Sequence, residues 1–175
     1  RNDNAGYVCT SADGLHFSYP GAVQLAATAA YRAGAGLVTV ACPDSMVAAA
    51  APGIAEATWL PQPAADDGTL SETAAIHLRS TWRDHSAVVF GPGMGNSADT
   101  RALVWAALPD TEDAAGGVVI DADALNVLAG LDDGPERVPA WAILTPHPGE
   151  MARLMRKTVA EVQAQRMETA RECAT

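Results

Sequence analysis

Strand-like and helix-like segments alternate through this chain, and their order constrains its fold more than any single motif. The strand-like segments are short, apolar and bounded by glycine, proline or polar residues, as buried strands are. This alternation predicts an α/β fold, with a mainly parallel sheet and helices on both faces, and 175 residues fit one domain, 1–175. The predicted strands are residues 7–10, 37–42, 57–60, 87–90, 117–120 and 143–144.

Helices are predicted between these strands and after the last one. The final helix runs from Val159 towards Cys173, and no strand-like segment follows it. A doubly wound sheet usually continues, so we expect a sheet that is incomplete at the C-terminus. The other predicted helices are residues 21–33, 44–51, 71–83, 97–108, 124–128 and 151–155.

Three distinctive loops each follow a predicted strand directly. They are Gly-Pro-Gly-Met-Gly at residues 91–95, Asp-Ala-Asp-Ala-Leu-Asn at 121–126 and Thr-Pro-His-Pro-Gly-Glu at 145–150. Ligands of open α/β sheets bind beyond the carboxyl ends of the strands. The sequence therefore predicts a binding site where these loops meet.

The glycine loop at 91–95 can let a ligand approach the backbone closely, and the helix after it favours an anion. Its spacing is neither the dinucleotide fingerprint nor a P-loop, and a tight turn without a ligand is an equal alternative. In the next loop, Asp121 could orient a ligand hydroxyl or a hydrated Mg²⁺ ion. Asp123 is expected to be the N-cap of the following helix.

His147 stands between Pro146 and Pro148, which restrict the backbone on both sides. It could donate to a ligand, carry a proton or be a structural histidine. We expect its side chain to point into the crevice and not into solvent. Glu150 opens a helix, where a carboxylate is favourable as a cap.

Charge and cysteine content exclude several classes of function. The net charge of −10 argues against nucleic-acid and anionic-membrane binding, although glycine-loop amides could still hold a phosphate. The three cysteines have no paired spacing, so neither a metal site nor a disulfide framework is expected. No signal peptide or membrane-length apolar run is seen, which favours a cytoplasmic protein.

The chain resembles the ADP-dependent NAD(P)H-hydrate dehydratases of the ribokinase-like superfamily. The resemblance rests on five segments in the family's order and spacing, which together cover nearly the whole chain. Besides the three loops, they are Tyr-Pro-Gly-Ala at residues 19–22 and Arg-Ala-Gly-Ala-Gly-Leu-Val-Thr-Val at 32–40. One segment departs from the family, which usually has Gly-Gly-Ser where this chain has Gly-Leu-His at 14–16.

The resemblance implies a lyase that repairs hydrated NADH or NADPH and forms homo-oligomers. A nucleotide, ADP or ATP with Mg²⁺, phosphorylates the ring hydroxyl, and phosphate then leaves more readily than hydroxide would. Ala22, Gly95 and His147 would contact the hydrated cofactor. Supporting roles would fall to Tyr19, Gly21, Gly93, Asp121, Asp123, Asn126 and Glu150.

The resemblance places no catalytic residue in this chain. The family's catalytic aspartate and most of its nucleotide site are expected beyond Thr175, so the isolated chain is expected to be inactive. Two alternatives stay open: a ribokinase-like kinase of a small molecule, and a non-catalytic binding or assembly fragment.

Overall fold

The computed structural model describes residues 7–9, 20–108 and 116–174, and it is an α/β fold as the sequence predicts. The described strands are β1 (Tyr7–Cys9), β2 (Thr39–Pro43), β3 (Thr58–Gln62), β4 (Ala87–Phe90), β5 (Gly117–Ile120) and β6 (Ile143–Leu144). The described helices are α1 (Pro20–Arg32), α2 (Asp44–Ala50), α3 (Ala74–Thr81), α4 (Ala98–Ala107), α5 (Ala122–Ala129), α6 (Pro148–Leu154), α7 (Val159–Ala164) and α8 (Arg166–Cys173).

The six strands form one parallel sheet in the order β3-β2-β1-β4-β5-β6. From β1 the chain moves outwards through β2 and β3, and it then crosses back to place β4 on the other side of β1. The order therefore reverses between β1 and β4. Such a switch point opens a crevice at the carboxyl ends of the two strands, where ligands of this class of sheet bind.

The direction of the crossovers decides which face each helix covers. Right-handed connections put α1 and α2 on one face and α3, α4 and α5 on the other. Val40 and Cys42 accordingly pack with α1 and α2, while Phe90 and Ile120 belong to the larger cluster that contains α3, α4 and α5. In that larger cluster the Trp82 ring meets the Phe90 ring edge to face, with centroids 5.5 Å apart.

Several predicted helices differ in their bounds from the observed ones: α5 and α6 begin two and three residues earlier than predicted, and two further differences have local reasons. The helix expected from residue 71 begins at Ala74, because Ser71 Oγ accepts the Thr73 N–H at 3.3 Å in a turn that precedes it. The final helix, expected to be continuous from Val159, is split at Gln165, where φ is −136° and ψ is 49°. Among the described residues, every helix is too short or too polar to cross a bilayer.

Candidate functional site

The loops after β4, β5 and β6 meet at one edge of the sheet, as the sequence predicts. Asp121 N–H donates to Phe90 O at 3.0 Å, and Thr145 N–H donates to Ile120 O at 3.2 Å. These bonds extend the sheet ladder to the first residue of two of the loops. Neighbouring parallel strands therefore deliver all three loops to the same side of the molecule.

The start of α1 lies at the same edge. Its last residue, Arg32, leads within a few residues into the beginning of β2, so the helix runs from the carboxyl edge to the opposite one. Gly21 and Ala22 belong to the first turn of α1. Tyr19 lies outside the described residues.

The glycine loop lies directly on the beginning of α5. Gly91, Gly93 and Gly95 have φ values of 125°, 71° and 77°, which side chains disfavour. A Cβ atom at Gly91 would stand 1.9 Å from Asp121 O and 2.8 Å from Ala124 Cβ. Glycine at this position is what allows the two segments to touch.

Residues at the start of α4 hold the end of the glycine loop. Met94 is fully buried, and its carbonyl accepts the Thr100 hydroxyl at 3.0 Å. Ser97 is the N-cap of α4 and accepts the Thr100 N–H at 3.1 Å. The loop is thus held by packing and by side-chain hydrogen bonds on the protein side.

Asp123 does not cap α5, contrary to prediction. Asp121 occupies the N-cap position and its side chain makes no capping hydrogen bond. The Asp123 carboxylate instead accepts the Gly95 N–H at 2.9 Å, across 28 residues of sequence. Because a carboxylate already occupies this amide, the Gly95 N–H does not fit a ligand phosphate, which would need the same position.

Ala122, between the two aspartates, has a φ of 50°. A residue with a Cβ atom in the left-handed region costs about 1–2 kcal/mol. Such strain persists only where the surroundings dictate it, and it clusters at functional sites. Ala122 is held in this way on both sides, because Asp121 contacts Gly91 and Asp123 bonds Gly95.

His147 is the N-cap of α6 and forms a capping box with Glu150. Its Nδ1 accepts the N–H groups of Gly149 at 2.9 Å and Glu150 at 3.4 Å, while Glu150 Oε2 accepts the His147 N–H at 2.9 Å. The Nε2 atom lies 3.1 Å from Glu150 Oε1. Because Nδ1 accepts, the neutral ring carries its proton on Nε2 and donates it to Glu150.

This geometry confirms Glu150 as a capping residue and corrects the expected orientation of His147. The His147 side chain is 62% exposed, so the expectation that it is held away from solvent is wrong. The ring turns back over its own helix, because that places Nδ1 over the unpaired amides of the first turn. Its role as a ligand contact stays a prediction, and Nε2 is the nitrogen that could serve it.

Arg153 joins the site region although sequence reasoning did not single it out. Its guanidinium donates to Asn126 Oδ1 at 2.7 Å and ties α6 to α5. The two residues are 27 positions apart, and nothing in the local sequence signals the pairing. Asn126 therefore contributes a link between helices.

No metal cluster is found in the described part of the chain, and the Cys42 thiol is not reactive. No group of three histidine, cysteine, aspartate or glutamate side chains there could hold a metal ion. Burial, helped by the Asp44 charge, raises the pKa of the Cys42 thiol to about 11. Cys42 is therefore a core residue and a poor nucleophile.

Comparison with known proteins gives a consistent family. A family model described as NAD(P)H-hydrate dehydratase matches residues 14–175. The chain is similar to the bifunctional NAD(P)H-hydrate repair enzyme Nnr of Moorella thermoacetica, with 40% identity over 156 residues, covering 86% of this chain and 28% of that protein. The corresponding enzyme of Gloeobacter violaceus is 37% identical over 136 residues, which covers 78% of this chain and 25% of the relative.

Solved structures agree on the fold. An ADP/ATP-dependent NAD(P)H-hydrate dehydratase from Bacillus subtilis, co-crystallised with ATP and Mg²⁺ and soaked with CoA, matches with a TM-score of 0.69 and 28% identity. That match covers 99% of this chain and 57% of the solved one. A ribokinase-like superfamily protein from Enterococcus faecalis, 18% identical, matches with a TM-score of 0.72 over 98% of this chain and 55% of its own. The chain thus spans about a quarter of the curated relatives and just over half of the solved structures.

Proposed function

The chain belongs to the NAD(P)H-hydrate dehydratase family, and from this we propose that it forms the substrate-binding side of an enzyme that removes water from hydrated NADH or NADPH. The observation that carries the proposal is the meeting of the glycine loop, the start of α5 and the His147 loop at one edge of the sheet, beside the start of α1. Dehydration breaks a ring C–O bond and removes a proton from the adjacent carbon, which restores the double bond. Protein groups at this edge would hold the ring in place.

Small residues and one hydrogen-bond donor suit this task. Ala22 and Gly95 present no bulk, so a flat ring system could lie close to the backbone. His147 could donate its Nε2 proton to a polar group of the hydrated ring. Its present bond to Glu150 would then be broken, or the proton would be shared between the two acceptors. Together they would recognise shape and one polar group without using a charged side chain.

The described residues contain no preformed metal cluster that would hold Mg²⁺ without a nucleotide. The Gly95 N–H is occupied by the Asp123 carboxylate, and no cluster of three metal-ligating side chains exists in residues 7–9, 20–108 and 116–174. The Bacillus subtilis relative was crystallised with ATP and Mg²⁺. We propose that an enzyme of this kind also uses a nucleotide with Mg²⁺, and we assign no step of the reaction through them to the described residues.

Two substitutions of His147 test this proposal, because they separate its role as an N-cap from its role as a ligand contact. His147→Ala should lower the free energy of unfolding by about 1 kcal/mol, since it removes an N-cap, and should weaken binding of hydrated NADPH about 2–10-fold. His147→Asn keeps a good N-cap but removes the imidazole, so stability should stay near wild type while the hydrate still binds more weakly. Thermal melting and titration calorimetry measure the two quantities.

Thr158→Ala is a matched control, because Thr158 and Glu161 form the same kind of capping box on α7. It should destabilise the protein about as much as His147→Ala and leave hydrate binding unchanged. Wild-type hydrate affinity in His147→Asn would show that the imidazole does not touch the ligand.

A further inference from the structure

The bond between Asp123 and Gly95 acts at the more exposed end of the glycine loop, beside the bond from the Thr100 hydroxyl to Met94 O. Gly91 is pressed against Asp121 O and Met94 is buried, but Gly95 is half-exposed and has no side chain of its own to anchor it. Glycine also loses more conformational freedom on ordering than any other residue. The contact that the structure shows for its N–H is the Asp123 carboxylate, at 2.9 Å.

This bond also selects which atoms of Gly95 a ligand can meet. The N–H points to Asp123 and is therefore not available to a ligand, which could meet Gly95 only at its Cα atom or at its carbonyl oxygen, part of the next peptide group. A hydrogen bond with an ionised acceptor is roughly twice as strong as a neutral one, so the orientation is well defined. The carbonyl of the peptide group that contains this N–H, Met94 O, accepts the Thr100 hydroxyl at 3.0 Å, so the two bonds together oppose rotation of this group. Such a rotation would change both the shape and the polarity of the crevice wall.

We propose that Asp123 is a positioning residue: its carboxylate, together with the Thr100 hydroxyl at Met94 O, holds the Met94–Gly95 peptide in the one orientation that lets the glycine loop accept the hydrated nicotinamide ring. Asp123 acts through Gly95 and does not itself contact the ligand. The strained backbone of Ala122, the residue before it, is consistent with a turn set by these contacts. The ligand part of this inference rests on the proposed function, whereas the orientation of Gly95 does not.

Three variants test the inference in the 175-residue chain. Asp123→Ala removes the acceptor, Asp123→Asn keeps an oxygen in its place, and Asp44→Ala removes a first-turn carboxylate of α2 that accepts the Ser45 N–H. Amide hydrogen exchange of Gly95, followed by NMR, reports the bond without any ligand. Calorimetric titration with hydrated NADPH reports its consequence, and thermal melting verifies that each variant is folded.

Asp123→Ala should speed exchange of the Gly95 amide at least tenfold and weaken hydrate binding about tenfold, while Asp123→Asn stays within about threefold of wild type in both. Asp44→Ala should match wild type. Unchanged Gly95 exchange in Asp123→Ala would overturn the inference, as would fast exchange with undiminished hydrate affinity. Weak hydrate binding by Asp123→Asn with a protected Gly95 amide would also overturn it, because the carboxylate would then contact the ligand.

A wild-type chain that does not bind the hydrate would contradict the proposed function and not the orientation of Gly95. In that case the exchange data still decide: fast exchange in Asp123→Ala, restored by Asp123→Asn, supports Asp123 as the residue that positions the loop. Equal exchange in all variants rejects it.

Discussion

Gly91→Ala should destabilise the protein by about 2–6 kcal/mol, the largest single effect that we expect at the crevice. Two penalties add at this position. The φ of 125° lies in a region that is open almost only to glycine, and the new Cβ atom would stand 1.9 Å from a backbone oxygen, Asp121 O. A backbone oxygen cannot move away from the new methyl group as the end of a flexible side chain could. The free energy of unfolding from urea denaturation measures the loss.

Gly117→Ala is the control, because it adds the same methyl group in the neighbouring strand β5. A Cβ atom there meets nothing within 4 Å. The substitution should be neutral or stabilise the protein by up to about 1 kcal/mol, since alanine loses less conformational entropy than glycine on folding. Wild-type stability of Gly91→Ala would mean that the glycine loop can separate from α5 without penalty.

Trp82→Ala should cost about 3–5 kcal/mol, by removing the largest side chain of the main core. Trp82 is 1% exposed and its ring supports Phe90, the last residue of β4 before the glycine loop. The cavity would therefore form against the last residue of β4, which the glycine loop follows. Urea denaturation again gives the stability.

Trp82→Phe should cost much less than Trp82→Ala. It keeps an aromatic ring against Phe90, and within the described residues the indole Nε1–H makes no hydrogen bond that would be lost. Removing an unpaired buried N–H offsets part of the lost packing. A phenylalanine variant as unstable as the alanine variant would argue that the indole N–H has a partner.

The sheet could be predicted from sequence because each strand is indicated by its own short apolar run and by the glycine or polar residues on either side of it. Residues 117–120 form a four-residue apolar run between a glycine and an aspartate, and the observed β5 has these bounds. The glycine loop could also be predicted, since three glycines around one proline indicate a turn with positive φ. Parallel pairing then brings the strand ends together without further information.

The hydrogen-bond partners of the polar side chains could not be predicted in the same way. An aspartate near a helix start favours capping, yet Asp123 bonds Gly95, a partner 28 residues away that only the folded sheet brings near. The Asn126–Arg153 pair is hidden for the same reason. His147 differs: Pro148 in the first helical turn and Glu150 three residues after His147 are a local capping signature, with histidine in the place usually held by serine or threonine.

Helix α5 carries a polar side chain towards each flank of the crevice. Asp123 bonds the glycine loop and Asn126 bonds α6, the helix that His147 caps. Residues three positions apart lie about 4.5 Å apart along a helix axis and about 60° apart around it, so a rotation of α5 displaces both bonds together. We therefore expect the two walls of the crevice to be thermodynamically coupled through α5. Removal of both side chains should show an interaction energy on the order of 0.5–3 kcal/mol in a double-mutant cycle of hydrate binding, and not the simple sum of two losses.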